Sequence, residues 1–433
     1  MRHGWHIVGL ICVMVGVARS ATAEDWSRFR GPNGSGVSAD RDIPTEWSAT
    51  KNIVWQADLP GPGSSSPIIS GPRVFLTSYS GYAVDRSNPG DIAKLERHLL
   101  CFDRKTGTEV WKQTVAAKQP EDRFNGFMIE HGYASSTPVT DGERVYAFFG
   151  KSGVFAFDLA GKQLWQVDVG SGSGMNGWGS GSSLILHGDV LIVNADAESE
   201  CVLGLNKLSG SQVWKASAKG YKGSWATPVL LTVGEKTELI VAVPGELWGL
   251  DPTDGGLLWF CEAGSSRAAN ASVVTKDGVA YLITGGPGGS TAVAVRGGGR
   301  DDVAKTHLVW KKNVGSYVPS PVLHGAQLVW VDDRGQLQGV DAKTGESLYR
   351  ERLPDAGGVY ASITAVDDKL MAVTRRKGTF VMQAGVMQAG EKPTQLAINV
   401  LAGDDSDFNA SPAIQDGRLF LRSNRKLYCI GVK

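Results

Sequence analysis

The chain has 433 residues, of which 42% are hydrophobic and 20% charged, an ordinary globular composition with ample material for a large core. Lys and Arg number 44, as do Asp and Glu, so no basic excess indicates binding to nucleic acid or to an anionic membrane. Glycine is abundant, at 56 residues. Because glycine reaches positive φ at no steric cost, this abundance predicts many tight turns and hence many short strands.

Residues 1–23 have the pattern of a cleaved secretory signal. Arg2 and His3 precede an apolar run over 7–17, and the small-x-small site Ala21-Thr22-Ala23 follows it. The apolar run is short for a stable bilayer anchor. We therefore expect an exported protein, periplasmic or secreted, with no transmembrane anchor.

The remaining chain, 24–433, is predicted to form one domain that contains four cysteines. Export permits disulfides, but the spacings match neither a compact disulfide framework nor a zinc site. Both the paired and the free state stay open on sequence grounds, and the spacings favour four buried free thiols: Cys101, Cys201, Cys261 and Cys429.

A unit of strand, tight turn and strand ending in an aromatic residue recurs along the chain. The copies run over 101–111, 157–165, 205–214, 250–259 and 340–349. An Asp or Asn with a Gly supplies the turn geometry, and the terminal aromatic offers a large apolar surface to a neighbouring repeat. A period near 45 residues is typical of repeat architectures.

A second marker, a Ser or Thr that is often followed by Pro, precedes each copy and begins a short apolar strand. Asp-Gly turns, such as Asp141-Gly142 and Asp416-Gly417, then join alternating apolar runs, which is a strong hairpin signal. The markers define about eight repeats of four strands: Ser66-Pro67, Thr137-Pro138, Ser182-Ser183, Thr227-Pro228, Ser272-Val273, Ser320-Pro321, Ser362-Ile363 and Ser411-Pro412.

The two chain ends complete one repeat. The last repeat, 411–430, has only three strands, and the segment near 52–57 reads as a fourth strand with no repeat before it. Pairing of these segments closes a ring and removes exposed sheet edges. The sequence therefore predicts an all-β, eight-bladed propeller of four-stranded antiparallel blades, closed by the N-terminal strand.

The Ser-Pro start, the apolar hairpin and the Asp-x-x-Thr-Gly-x-x-x-Trp ending resemble the repeats of pyrroloquinoline quinone (PQQ)-like, quinoprotein dehydrogenase-like propellers. The opening segment 26–36, Trp-Ser-Arg-Phe-Arg-Gly-Pro-Asn-Gly-Ser-Gly, is similar to the start of exported bacterial proteins of this type. The resemblance spans essentially the whole mature chain. It implies the fold more strongly than the function, since dehydrogenases and non-enzymatic scaffolds share this packing motif.

Two kinds of relative frame the function that the resemblance implies. The dehydrogenases are longer and commonly hold PQQ against adjacent, mutually bonded cysteines, with calcium and a catalytic Asp nearby, whereas this chain has no Cys-Cys pair. The outer-membrane assembly propeller is a lipoprotein that binds a partner protein without catalysis. We therefore expect a non-catalytic, monomeric scaffold for a protein, peptide or glycan partner, with no cofactor. The alternative is a PQQ- and calcium-dependent oxidoreductase of alcohols or sugars, and a third hypothesis is a carbohydrate-active enzyme.

The strongest candidate binding residues lie where the first strand of each repeat starts. In this family the first strand is innermost, so its start lines one mouth of the central channel. Polar and aromatic groups that converge on a concave mouth are typical of a ligand or partner site. The candidates are Trp178, Trp225, Arg267, Asn270, Tyr317, Tyr360 and Asn409, within a predicted ring of Ser64, Ser135, Ser180, Trp225, Asn270, Val318, Tyr360 and Asn409.

Three further motifs carry weaker signals. Glu130 and His131 are adjacent in an insert before a strand marker and suit either acid–base chemistry or simple packing of the insert on the ring. The string Gly-x-Gly-x-x-Gly at 172–177 is interpreted as a glycine-rich connection, because a strand rather than a helix follows it. The acidic run 404–407 is interpreted as a solvated loop. The sequence predicts neither catalytic nor metal-binding residues.

Overall fold

The computed structural model describes residues 25–217, 221–385 and 391–432. Eight antiparallel sheets follow one another along the chain, which confirms the predicted eight-bladed propeller. The predicted signal, 1–23, lies outside the described residues. Within the described ranges, no helix is long and apolar enough to cross a membrane.

Blades 1 to 4 each take four consecutive strands from the innermost to the outermost. Blade 1 consists of Ile68–Ser70, Arg73–Ser80, Glu96–Asp103 and Glu109–Ala116. Blade 2 consists of Val139–Thr140, Arg144–Phe148, Val154–Asp158 and Gln163–Val167. Blade 3 consists of Ile185–His187, Val190–Ala195, Cys201–Asn206 and Gln212–Ser217. Blade 4 consists of Val229–Val233, Lys236–Val243, Glu246–Leu250 and Leu257–Glu262, with Asp301–Asp302 added in parallel outside.

Blades 5 to 8 complete the ring. Blade 5 consists of Val274–Lys276, Val279–Thr284, Thr291–Arg296 and Leu308–Lys312. Blade 6 consists of Val322–His324, Gln327–Val331, Gln336–Asp341 and Ser347–Arg352. Blade 7 consists of Thr364–Val366, Lys369–Val373, Thr379–Gln383 and Thr394–Asn399, with Val37–Ser38 added in parallel inside. Blade 8 consists of Ala413–Gln415, Arg418–Arg422, Lys426–Ile430 and the N-terminal strand Ile53–Asp58.

Helical structure is confined to short turns in the described ranges. The two α-helical turns are Met128–His131 and Asp196–Ser199. The 3₁₀ turns are Pro32–Gly34, Ile92–Lys94, Gly150–Ser152 and Met175–Gly177. The last of these lies in the glycine-rich string between blades 2 and 3, which is therefore a connection, as predicted.

Ring closure follows the predicted pairing of the two chain ends. Ile53–Asp58 runs antiparallel to Lys426–Ile430, with Gln56 opposite Tyr428. All four described cysteines are buried and free, in agreement with the thiol state that their spacing favours. The sequence Val-Met-Gln-Ala-Gly occurs twice in succession, at 381–385 and 386–390. The first copy begins in the third strand of blade 7 and ends in the connection to the fourth strand, and the second copy lies outside the described ranges.

The terminal aromatics join neighbouring blades. The indole of Trp55 donates a 2.9 Å hydrogen bond to the carbonyl of Arg104 in blade 1, and its ring lies against Gly107, where a Cβ would come within 2.5 Å of the ring. Four more tryptophans make the corresponding contact with the turn of the following blade: Trp111, Trp165, Trp214 and Trp310. The glycine of the repeat is therefore required by close approach as well as by its positive φ.

The Ser and Thr markers form a hydrogen-bonded ladder around the channel. Seven times, a marker's backbone N–H donates to the hydroxyl of the marker in the next blade, at 2.9–3.0 Å. The eighth link, from Ser411 to Ser66, is missing, and the buried Ser66 hydroxyl has no partner among the described residues. The ladder is therefore open where the chain ends close the ring.

The ladder predicts different effects for two chemically identical substitutions. Ser272→Ala removes the acceptor of the Thr227 N–H and is expected to lower the free energy of unfolding by about 1–3 kcal/mol, the cost of an unsatisfied buried donor. Ser66→Ala removes an unpartnered hydroxyl and is expected to be neutral or stabilising. Urea unfolding of the two variants measures the difference. Equal destabilisation would contradict the proposed role of the ladder.

Candidate functional site at the channel mouth

The connection from blade 1 to blade 2, residues 117–138, crosses one mouth of the channel. It carries the helical turn Met128–His131. Asn409, before blade 8, donates a 2.8 Å hydrogen bond from Nδ2 to the Glu130 carbonyl, and His131 Nε2 donates to the Trp178 carbonyl, before blade 3, at 3.0 Å. This connection, the insert 117–138, is thus bonded to both sides of the mouth.

Phe127, at the tip of this insert, sits among the predicted aromatic residues. Its ring centroid lies 5.4 Å from Trp178, 5.7 Å from Tyr317 and 5.8 Å from Tyr360. Trp178 in turn lies 5.7 Å from Trp225. All five rings are only half-buried. They form one aromatic patch over the channel, referred to below as the mouth patch.

Most of the predicted ring positions line the cavity beneath Phe127. They are Ser64, Ser135, Trp225, Asn270, Val318, Tyr360 and Asn409, joined by Trp178, Tyr317 and His131. Gly181 lines the cavity at the position predicted for Ser180. Arg267 is exposed and does not line the cavity, so the structure separates it from the other candidates.

Glu130 and His131 point to different partners rather than forming an acid–base pair. Glu130 Oε2 lies 2.7 Å from Nη1 of Arg375, whose guanidinium stacks 4.6 Å above the Tyr360 ring. His131 Nδ1 lies 2.7 Å from the Ser135 hydroxyl. Burial lowers the pKa of His131 to about 4, so the imidazole is neutral near pH 7. Both residues anchor the insert.

The opposite end of the channel is filled by the N-terminal segment 26–38. Arg28 Nη2 donates to the Pro228 carbonyl of blade 4 at 3.2 Å, and Arg30 Nη2 donates to the Pro321 carbonyl of blade 6. Phe29 lines the channel cavity. The Ala365 N–H of blade 7 donates to the carbonyl of Gly36 in this segment at 2.8 Å. The segment is thus a crossbar that touches distant blades.

Between Phe29 and Phe127 the channel holds a cavity of about 140 Å³. Its walls are aromatic rings, amides and the hydroxyls of the ladder. Among the described residues that line it, none is Asp, Glu, Lys or Arg. The described ranges also contain no group of three or more His, Cys, Asp or Glu side chains that could hold a metal ion.

A buried charged cluster fixes the insert to blades 1 and 2 and extends to Glu198 of blade 3. Arg97 pairs with Glu121 at 2.5 Å, and Lys151 pairs with Asp122 at 2.9 Å. Glu198, only 5% exposed, accepts a 2.5 Å hydrogen bond from the Ser180 hydroxyl, which explains why Ser180 is drawn away from the channel. Burial raises the pKa of Glu198 from its ordinary 4.5 to about 7.

Glu198 is expected to make stability depend on pH. Its pKa is higher in the folded state than in the unfolded state. Its contribution to the free energy of unfolding is therefore complete below pH 4.5 and is lost as the pH rises through about 7. The substituted side chain in Glu198→Gln does not titrate. The difference in unfolding free energy, variant minus wild type, should therefore increase by about 2–3 kcal/mol between about pH 5 and about pH 8.5. Denaturant titrations at the two pH values measure this gain, with exposed Glu235→Gln as the control. An equal gain in the control, or none in Glu198→Gln, would contradict the assignment.

The family is established by sequence. The family model described as outer membrane protein assembly factor BamB matches residues 96–351, and the chain belongs to this PQQ-like repeat family. A search of curated proteins found none that matches the chain.

Solved structures share the architecture at low identity. BamB from Moraxella catarrhalis is 14% identical with a TM-score of 0.60, over 88% of this chain and 97% of that one. Sqt1 from Saccharomyces cerevisiae is 10% identical with a TM-score of 0.60, over 88% and 99%. A europium-containing methanol dehydrogenase is 13% identical with a TM-score of 0.50, over 83% and 89%. At these identities the likeness shows the fold alone.

Proposed function

We propose that this protein is an exported, non-catalytic propeller that binds a partner protein or peptide at the mouth patch. The observation that carries the proposal is the mouth itself, where Phe127 contacts three half-buried aromatic rings and a fifth, that of Trp225, packs against Trp178. Trp and Tyr are the residue types that dominate binding energy at protein interfaces, where they present large rigid surfaces. The family's assembly-factor description agrees with a partner-binding role.

The same geometry argues against the PQQ-dependent alternative. Cofactor pockets usually measure about 300–1,000 Å³, and the channel cavity measures about 140 Å³. PQQ is an anionic quinone that is commonly held with calcium, whereas the described lining has neither a cation for the quinone nor a carboxylate for the metal. The residues present therefore do not fit the cofactor, and no catalytic step follows from them.

Photo-crosslinking tests the proposal. A benzophenone side chain is placed at exposed Asn125, two residues from Phe127, and separately at exposed Leu208 on an outer turn. The proposal predicts that Asn125 captures one defined protein, that Leu208 does not, and that capture at Asn125 is lost in Trp225→Ala. Equal capture from both positions would refute the mouth patch as the site. N-terminal sequencing of the exported protein tests the predicted cleavage after Ala23.

A further inference from the structure

A second pocket lies beside the mouth patch, where blades 7, 8 and 1 meet. It measures about 360 Å³, within the range of ligand pockets. Its apolar lining residues include Pro60, Pro62, Tyr79, Val84 and Ile129. The charged lining residues are three arginines, Arg86, Arg376 and Arg425, and three acids, Glu130, Asp405 and Asp407. Ser64 and His131 border both this pocket and the channel cavity.

Asp407 pairs with three arginines in and beside this pocket. Its carboxylate is 2% exposed and lies 2.6 Å from Arg86, 2.7 Å from Arg375 and 2.6 Å from Arg376. Burial alone would raise the pKa of Asp407, but the Arg376 hydrogen bond and the three cations outweigh it and hold the pKa below its ordinary value. The carboxylate therefore stays ionised and fixes the guanidinium groups in place.

These arginines have further hydrogen-bond donors that can bind an anion. Arg376 contacts Asp407 through Nε and Arg86 through one Nη, and their side chains are 61% and 38% exposed. Arg86, Arg375 and Arg376 carry three positive charges, whereas Asp407 and Glu130 carry two negative charges. One positive charge is therefore left over. A guanidinium fork matches a carboxylate in geometry.

The surroundings favour a singly charged oxyanion over a phosphate group. Asp405, 85% exposed, lies at the rim and pairs with Arg425 at 2.6 Å, so this ion pair adds no net charge. A group of charge near −2 would meet an excess of only one positive charge. The apolar residues of the lining suit an uncharged side chain next to the anion.

We propose that this pocket binds a carboxylate carried by an extended segment of a partner protein, beside an apolar side chain of the same segment. This inference rests on the proposed function and adds the chemistry of the partner. The mouth patch and the arginine pocket adjoin, so one segment can contact both.

The test uses three tetrapeptides that differ at one position. They are Ac-Gly-Phe-Glu-Gly-amide, its Gln counterpart and its phosphoserine counterpart. NMR of the arginine Nε–H groups follows each titration of the full-length protein. We expect saturable shifts of Arg376 and Arg86 with the Glu peptide and none with the Gln peptide.

Variants show whether the arginines act directly. Arg376→Gln should lower the affinity for the Glu peptide about tenfold, because a charge-assisted hydrogen bond is lost. Arg86 and Arg375 still neutralise Asp407 in this variant, so it should fold, as thermal unfolding would verify. The matched control is Lys377→Gln, an adjacent exposed cation outside the pocket, which should leave the affinity unchanged.

Three results would overturn the inference. They are equal binding of the Glu and Gln peptides, no saturable shift at millimolar Glu peptide, and tighter binding of the phosphoserine peptide, which would assign the pocket to phosphate. Failure of the proposed function is distinguishable. Peptide binding without capture at Asn125 would support the carboxylate-binding pocket and refute the mouth patch as a binding site. Capture that is unaffected by Arg376→Gln would support the mouth patch and refute the pocket as part of the site.

Discussion

Replacing Trp225 of the mouth patch by alanine is expected to weaken binding of the captured partner about 30-fold or more, the effect of a hot-spot truncation worth about 2 kcal/mol. Trp225 packs against Trp178 and donates a 2.7 Å hydrogen bond from Nε1 to the Gly179 carbonyl. Its ring is therefore held rigidly at the mouth, so that little conformational entropy is lost when a partner binds. Titration of the purified partner measures the loss of affinity.

The matched control for this substitution is Trp248→Ala. Trp248 is also half-buried and stacks on another aromatic residue, Tyr221, at 5.6 Å, but it lies on the third strand of blade 4 and does not line the channel cavity. Its replacement should leave partner affinity unchanged. A similar loss in both variants would show that Trp225 acts through stability rather than through contact.

Replacing Trp26 by alanine is expected to lower the free energy of unfolding by about 3–5 kcal/mol, as for a large aromatic removed from a core. Trp26 is 1% exposed and belongs to the core cluster that joins blades 7, 8 and 1. Its carbonyl accepts a 2.8 Å hydrogen bond from the N–H of Ile69 in blade 1. The indole therefore holds the crossbar to the closing blades. Denaturant unfolding measures the change.

An exposed apolar residue provides the control for Trp26. Leu208, 54% exposed on an outer turn, should change stability by less than about 0.5 kcal/mol when replaced by alanine. If Trp26→Ala is as mild as Leu208→Ala, the N-terminal segment contributes little to the core, and its contacts across the channel are incidental.

The fold can be predicted from sequence because its signals are local and repeated. Most blades carry their own turn glycine and terminal aromatic, and these residues act between sequential neighbours, as Trp55 and Gly107 do. The closing strand is predictable because one repeat lacks its fourth strand. Blade 7 departs from the pattern, since Ala397 stands opposite Val381 where other blades place an aromatic residue.

The candidate site can be predicted only in part. The ring positions follow from counting along the repeat, but Ser180 turns towards Glu198, which no count of positions reveals. Phe127 has no counterpart in other repeats, and its place depends on the path of a long insert. The sequence favours a solvated loop for the acidic run, whereas Asp407 is buried by arginines that are distant from it along the chain, Arg86 and Arg375.

Calorimetric titration of the purified protein with PQQ and calcium tests the non-catalytic assignment. We expect no saturable heat, because Phe127 and Phe29 bound a cavity of about 140 Å³ whose described lining contains no Asp, Glu, Lys or Arg. Saturable, calcium-dependent binding would contradict the scaffold assignment and would show that the channel opens to hold a cofactor.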